Sequence, residues 1–187
     1  MEQLKTGLLM AKKNILPEYK EDFGHEVEEV VMDILEKRGI IVEAIEKGSK
    51  IEDIRKKVDF WLKLKGVERP IGIQYTCTDN DDIIERKIKQ LKDRNWQAEK
   101  ELPGAIGWSG KTDIVLIRGN KQKIARYYNE SKEKKVSPAE VAGDEFVRGF
   151  FEQMLRQLNI FSPVKAKIIV DVFQKELISQ QQKRGRK

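Results

Sequence analysis

The sequence predicts an α/β fold for a single domain, and three observations lead to that prediction. Amphipathic helical patterns alternate with short runs of branched and aromatic residues in the order αβββαβ, and two Ser-Pro steps then open further helices. A length of 187 residues suits one well-buried domain and is too short for two ordinary domains with a linker. We expect an α/β core with an N-terminal helix at residues 1–136. Residues 137–187 then form a helical pair and a basic tail, packed on the same domain.

The first amphipathic helix is predicted to begin near Phe23. Its apolar residues recur at the 3.6-residue period, and Gly39 ends the pattern after the basic pair Lys37-Arg38. The segment before it, up to Lys20, is helical in composition and is interrupted by Pro17. The apolar stripe of the predicted helix consists of Val27, Val30, Val31, Ile34 and Leu35.

Three short strands are predicted after this helix. Their sequences are "GIIVEAIEKG", "KKVDFWLKLKG" and "RPIGIQYTCT", all rich in branched or aromatic residues. A glycine closes each of the first two, and a proline opens the third at a position where strands tolerate it. The second and third strands are therefore predicted to form a hairpin.

The predicted hairpin gathers polar side chains at one end of the sheet. A register with Leu64 opposite Ile71 also places Asp59 opposite Thr76. Alternation then puts Asp59, Gln74 and Thr76 on one face, whereas the other face is apolar. An oxygen-lined site of this kind suits Mg²⁺, which prefers one or two carboxylates and water. The apolar face consists of Phe60, Leu62, Leu64, Ile71, Ile73 and Tyr75.

The first helix is a source of a second carboxylate for such a site. Measured from the centre of its apolar stripe, Glu26 and Glu28 flank the buried face, and Glu29 points away. Glu26 and Glu28 are therefore the acids of this helix that are better placed to reach the sheet.

The remaining elements complete the predicted order. Acids at Asp79 to Asp82 mark the start of a second helix that runs towards Trp96, and "TDIVLIRG" reads as a fourth, largely buried strand. From Ser137 the chain is predicted to be helical again, with Ser137 as the N-cap and Pro138 at the first helical position. Ser162-Pro163 repeats this start. Two C-terminal helices are therefore expected to form a pair or to cover the sheet.

Composition excludes several classes of site. A single cysteine, Cys77, excludes an internal disulfide, and with one histidine, His25, no Cys/His zinc cluster can form, so any metal must be held by oxygen. The sequence has no apolar run of ~18 residues and no signal-like start, which predicts a soluble cytoplasmic protein with no membrane partner. The net charge is +6, and the tail 183–187 supplies most of it, so the charge argument for nucleic acid rests mainly on that tail.

The order of elements and three short motifs resemble the PD-(D/E)xK nuclease superfamily, which has the restriction-endonuclease-like fold. "GHEVEEVVMDILEKRG" resembles the Gly-x-x-x-Glu helix entry of archaeal Holliday-junction resolvases, at Gly24 and Glu28. "VDFWLKL" resembles the strand that carries the metal-binding Asp in that family, at Asp59. "PIGIQYTCT" resembles its hydrophobic-Glu-x-Lys-Thr strand, at Gln74 and Thr76.

The resemblance implies an αβββαβ core with a mixed central sheet, here with a C-terminal helical extension. It implies hydrolysis of DNA phosphodiesters with Mg²⁺ or Mn²⁺ as cofactor, DNA as the partner, and a homodimer. Glu28 and Asp59 would hold the metal, and Gln74 would complete its shell through the amide oxygen. Thr76, or a lysine such as Lys87 in the following helix, would position the attacking water. The similarity covers about half of the chain.

Two positions depart from the family pattern and leave the function open. Gln74 stands where the family has Glu and Thr76 where it has Lys, so one negative and one positive charge are missing. Some relatives place a lysine or glutamate on the following helix, where this sequence has Glu85, Arg86 and Lys87. One interpretation is an active nuclease with a migrated lysine, and another is a non-catalytic nucleic-acid-binding or assembly protein. A scaffold without a nucleic-acid role is a third, favoured by the nearly neutral body.

Overall fold

The computed structural model describes the backbone of residues 23–48, 58–100 and 113–184, and the side chains of 26–48, 58–91 and 113–183. The helical segment predicted before Lys20 lies outside these residues. The elements are α1 (Phe23–Arg38), β1 (Val42–Lys47), β2 (Phe60–Leu64), β3 (Ile71–Thr76), α2 (Asp81–Lys100), β4 (Ile114–Arg118), α3 (Lys121–Lys134), α4 (Pro138–Val141), α5 (Asp144–Phe161) and α6 (Pro163–Arg184).

The strands form one mixed four-stranded sheet in the order β1-β2-β3-β4. The pairs β1-β2 and β2-β3 are antiparallel, and β3-β4 is parallel. A parallel neighbour requires a crossover connection, and α2 lies within the connection from β3 to β4. The predicted α/β class, the αβββαβ order and the mixed sheet are therefore confirmed for the described residues.

The predicted register of the hairpin is wrong, although its faces are right. Leu62, not Leu64, lies opposite Ile71. Leu64 pairs instead with β1, and the Lys63 ammonium donates to the carbonyl oxygens of Val67 and Glu68 at 2.5 and 2.7 Å, which holds a longer connection together. An even shift keeps each side chain on its face, because the strand period is two residues.

The larger core lies on one face of the sheet. The predicted apolar residues of β2 and β3 pack there against the buried stripe of α1, with Val115 and Ile117 of β4 beside them. Met154 and Leu158 of α5 are fully buried in the same cluster, which also includes Ala166 of α6. The C-terminal helices therefore share the core of the α/β region, and α2 covers the opposite face through Ile84 and Leu91.

Two helical segments differ from the prediction. No element is predicted between the fourth strand and Ser137, whereas Lys121–Lys134 form α3, which begins where the Asn120 side chain accepts a hydrogen bond from the Lys123 amide at 2.9 Å. The helix predicted from Ser137 divides after Val141, because Ala142 and Gly143 have extended backbone conformations. Ser137 and Pro138 do begin α4 as predicted.

The free backbone edge of β4 is closed by two glutamine side chains of α5. The Gln157 amide accepts from the Leu116 N–H at 2.9 Å and donates to the Leu116 carbonyl at 2.6 Å. Gln153 does the same for Arg118, at 3.0 and 3.1 Å. A row of unpaired strand groups favours pairing with other chains, so this double contact both stabilises the edge and covers it. The ammonium of Lys165 in α6 also pairs with Asp113, directly before β4.

We predict that Gln157→Leu lowers the free energy of unfolding by about 2–4 kcal/mol, because the buried N–H and carbonyl of Leu116 both lose their partner. Gln174→Leu, at an exposed position of α6, is the matched control and should change stability by less than ~0.5 kcal/mol. Urea denaturation measures both variants. Equal stability of the two variants would contradict the role of Gln157.

Candidate functional site

Asp59 joins the end of β2 to β3 and β1. Its backbone N–H donates to the Ile73 carbonyl at 2.8 Å, and its carbonyl accepts from the Gly48 N–H at 2.9 Å. Its carboxylate Oδ2 accepts a hydrogen bond from the backbone N–H of Tyr75 at 2.6 Å. The predicted acid therefore lies beside the β3 residues that flank Tyr75, with one carboxylate oxygen bound to the sheet.

The residues that flank Tyr75 are the other two predicted members of the strand site. Gln74 and Thr76 are 5% and 8% exposed, so each side chain is largely enclosed. In the parallel pair they lie opposite Leu116 and Arg118 of β4. Asp59, Gln74 and Thr76 therefore lie at the same end of the β2-β3 pair, although the two-residue register shift means that Asp59 does not lie opposite Thr76 as predicted.

Arg118 also lies at this end of the sheet, and the sequence patterns do not indicate it. It lies opposite Thr76, so its side chain leaves the sheet on the same face. Its guanidinium forms ion pairs with Asp79 at 3.8 Å and Asp81 at 3.5 Å, at the start of α2. The sequence does place Arg118 at the exposed end of a buried strand. Only the parallel pairing of β3 and β4, however, brings that end beside Thr76.

Lys87 lies in α2, the helix that covers the face of the sheet carrying Gln74 and Thr76. The residue that follows β3 is Cys77, and burial raises the pKa of its thiol to about 11. The positive charges of Lys121 and Lys87 act in the opposite direction and lower the pKa of Cys77. Lys87 is therefore on the helix that covers this face, and its charge acts on the residue that follows β3.

Glu28 occupies the position around α1 that the sequence predicts. Glu26 and Glu28 are half-buried and Glu29 is exposed. Glu29 pairs with Lys47 at 3.6 Å, and Lys47 lies opposite Phe60, so this part of α1 is over the end of the sheet where Asp59 lies. However, α1 packs on the face opposite to Gln74 and Thr76. The glutamate shares the end of the sheet with them, not the face.

The donor atoms at this end of the sheet suit a hard cation. Carboxylate oxygens of Asp59 and Glu28 and the amide oxygen of Gln74 are the ligand types that Mg²⁺ and Mn²⁺ accept, usually with water. Among residues 26–48, 58–91 and 113–183, no three His, Cys, Asp or Glu side chains form a group that could hold a metal ion. The predicted ligands are two carboxylates, from Glu28 and Asp59, and the amide of Gln74, so they do not form a group of three such side chains.

A cavity of about 390 Å³ opens on the other face, at the carboxyl ends of β3 and β4. The buried Tyr75 hydroxyl and Gly119 form its floor, and a side chain at position 119 would overlap that hydroxyl. Lys123 and Glu145 pair with each other at 3.2 Å along its wall. Its charges are therefore mixed. Arg118 is among its lining residues, whereas Glu28, Asp59, Gln74, Thr76 and Lys87 are not.

Comparisons with protein-family models, with curated proteins and with solved structures each found no match for this chain. Within the described ranges, no helix combines the length and the apolar character needed to cross a membrane. The fold and the site residues are therefore the basis on which function is inferred.

We predict that Asp59→Ala lowers the free energy of unfolding by about 1–3 kcal/mol, because the Tyr75 N–H loses its acceptor. Asp59→Asn retains an oxygen acceptor and should cost less than half as much as Asp59→Ala. Thermal and urea unfolding of the two variants test this difference. Equal losses would mean that the hydrogen bond to Tyr75 is not what Asp59 contributes to stability.

We also predict slow alkylation of Cys77 in the folded protein. Burial raises the pKa of the thiol from 9.0 to about 11, so at pH 8 the reactive thiolate is on the order of 100-fold scarcer than in the unfolded chain. The protonated thiol favours the folded state below pH 9, and that contribution is lost as the pH rises through 11.

Iodoacetamide labelling followed by mass spectrometry measures the alkylation rate. Lys87→Met should slow the reaction further, because the ammonium lowers the pKa of Cys77, whereas Lys89→Met on the exposed side of α2 should not. The same rate for Lys87→Met and the parent protein would place Lys87 away from the end of β3.

Proposed function

We propose that this protein is a metal-dependent DNA endonuclease of the PD-(D/E)xK type with an altered active site. The observation that carries the proposal is the hydrogen bond from the Tyr75 N–H to Asp59, which lies at the end of β3 that carries Gln74 and Thr76, in a mixed sheet with the αβββαβ order. Fold alone does not establish an activity, so the site residues carry more of the argument than the topology.

The order of strands supports the family assignment. An antiparallel β1-β2-β3 unit is followed by a helix and a parallel β4, and the polar residues lie where β2 begins and β3 ends. That position is one at which a phosphate backbone can approach the ends of two strands without displacing the apolar core, which lies mainly on the other face.

Asp59 is proposed as the principal metal ligand. Its Oδ2 accepts a hydrogen bond from the Tyr75 N–H, which helps to fix the orientation of the carboxylate. Gln74 would add an amide oxygen, and Glu28 would approach from α1 around the same end of the sheet. When bound, the Mg²⁺ or Mn²⁺ ion supplies charge stabilisation to the phosphate and makes a bound water more acidic.

Positive charge near the site would come from two residues instead of the usual lysine. Lys87 is proposed to position the attacking water from α2, and Arg118 to contact the phosphate. Arg118 is already paired with Asp79 and Asp81, so binding of a phosphate would compete with those exposed ion pairs, which contribute little to stability. Thr76 supplies a hydroxyl between the two strands.

A second candidate function is favoured by the burial of Gln74. The side chain is neutral and only 5% exposed, and an enclosed amide is cheaper to bury than the carboxylate that the family has there. A non-catalytic protein that keeps the fold and binds nucleic acid does not need a charged metal ligand here, so a buried neutral glutamine fits it. The two candidates differ in whether Asp59 is needed for anything besides stability.

We predict that the full chain cleaves labelled single-stranded, duplex or branched DNA with Mg²⁺ or Mn²⁺, and that Asp59→Asn lowers the rate by on the order of 100-fold or more. Asn keeps the acceptor for the Tyr75 N–H, so the loss reports the charge and not the fold. Glu28→Gln should also lower the rate. Glu29→Gln, whose side chain is exposed on the same helix, is its matched control.

The lysine has its own pair of variants. Lys87→Met should lower the rate at least tenfold, whereas Lys89→Met, exposed on the same helix, should leave it near the parent value. Absence of cleavage on every substrate, together with DNA binding that survives Asp59→Asn and weakens with salt, would contradict the nuclease and favour the binding protein.

A further inference from the structure

The outward side of α6 presents a row of exposed residues that the fold does not use. Its inner side is buried through Ala166 and Ile169. The row lies on the opposite side of α6. Its members follow one another at spacings of four and three residues in turn, and all of them are exposed. We call this row the outer seam, and it consists of Val164, Ile168, Asp171, Lys175, Ile178 and Gln182.

The apolar members of the outer seam are too exposed to belong to the core. Val164 is 73% exposed, Ile178 is 55% exposed and Ile168 is 39% exposed. Alternate spacings of three and four residues repeat every 3.5 residues on average, which is the period of a coiled-coil contact between two helices. The seam runs for about 27 Å at 1.5 Å per residue. Its geometry therefore fits another helix.

Charge selects both the occupant and its direction. Asp171 and Lys175 are the two central positions of the outer seam, and both are exposed. If a second copy lay parallel, Asp171 would face Asp171 and Lys175 would face Lys175. If it lay antiparallel with the symmetry axis near residue 173, each Asp171 would face Lys175 of the second copy. The row is thus complementary to itself in one orientation only.

We propose that α6 pairs with α6 of a second copy of this chain in an antiparallel, two-fold symmetric contact along the outer seam. Ile168 packs against Ile178 of the second copy on each side of the two central ion pairs, and Val164 packs against the stem of Gln182. The residues that form this contact lie outside the candidate site, so the dimer and the nuclease can fail independently.

The contact is short, which sets its affinity. Stable interfaces bury about 1,200 Å² or more in total, and one helix pair of this length with two apolar layers falls below that size. We therefore expect a reversible dimer with a dissociation constant on the order of 10 μM. Higher salt should weaken it moderately, because its central ion pairs are only partly enclosed.

Sedimentation velocity over a range of concentrations tests the proposal on the full chain, whose monomer mass is 21.8 kDa. The parent protein should shift to twice that mass as concentration rises. Lys175→Asp places acid against acid and should weaken association by on the order of 100-fold. The double variant with Asp171→Lys and Lys175→Asp exchanges the charges and should restore it, because each Lys again faces an Asp.

A matched pair of apolar positions controls for folding. Ile168 is in the outer seam at 39% exposure, and Val170 is off the seam at 37% exposure. Ile168→Asp should abolish the dimer and Val170→Asp should retain it, with similar unfolding curves for both variants. Loss of the dimer in both variants, or in neither, would overturn the assignment of this row.

Cysteine cross-linking tests the direction, in a Cys77→Ser background. A mixture of Ile168→Cys and Ile178→Cys proteins should form a disulfide-linked dimer, whereas each protein alone should not. Cross-linking of Ile168→Cys alone would indicate a parallel pair and overturn the proposal. A parent protein that stays monomeric at every concentration would also overturn it, and would assign the seam to another segment of the chain or to a different partner.

Discussion

The outer edge of β4 is the constraint on which the rest of the structure depends. Within the described residues β4 is the last strand of the sheet, so every second backbone group along it needs a partner other than a strand. Gln153 and Gln157 provide four hydrogen bonds to that edge from a single helix face. The contact fixes α5 on the sheet, and the Lys165–Asp113 pair fixes α6 close to it.

This closure explains why the C-terminal helices belong to the same folded unit as the sheet. Without α5 the edge of β4 would be open, and the core would lose the buried side chains of Met154 and Leu158. The parallel strand β4 also carries Arg118 to the end of β3. The position of the Arg118 guanidinium beside Thr76 therefore depends on α5, which contributes none of the candidate ligands.

The sequence predicts the parts of this fold that have a strong local period. The stripe of α1 and the alternation of β2 and β3 are confirmed, because burial on one face imposes the 3.6-residue and two-residue periods. The register is wrong because Lys63 closes a longer turn through Val67 and Glu68, which no local pattern indicates. The helix α3 is missed because its lysines resemble a solvated segment, although Asn120 and the buried Ile124 are an adequate start signal.

The candidate site, like the fold, can be predicted only where a local sequence pattern determines it. Asp59, Gln74 and Thr76 are grouped by strand alternation, and an even register shift keeps them at the same end of the sheet. Arg118 depends on a parallel pairing between distant strands, and the bond from Tyr75 to Asp59 depends on where the β2-β3 ladder ends. A single sequence contains neither fact. The orientation of the Asp59 carboxylate by the Tyr75 N–H is the feature on which the candidate site depends.

The most direct test of the account is a titration of the folded protein with Mn²⁺, monitored by water-proton relaxation. It compares the parent chain with Asp59→Asn and Gln74→Glu. If the end of β3 holds a divalent cation, Asp59→Asn should weaken Mn²⁺ binding at least tenfold. Gln74→Glu should strengthen it, because a carboxylate replaces a neutral amide beside the ion. Equal Mn²⁺ affinity for all three proteins would contradict a metal site at Asp59.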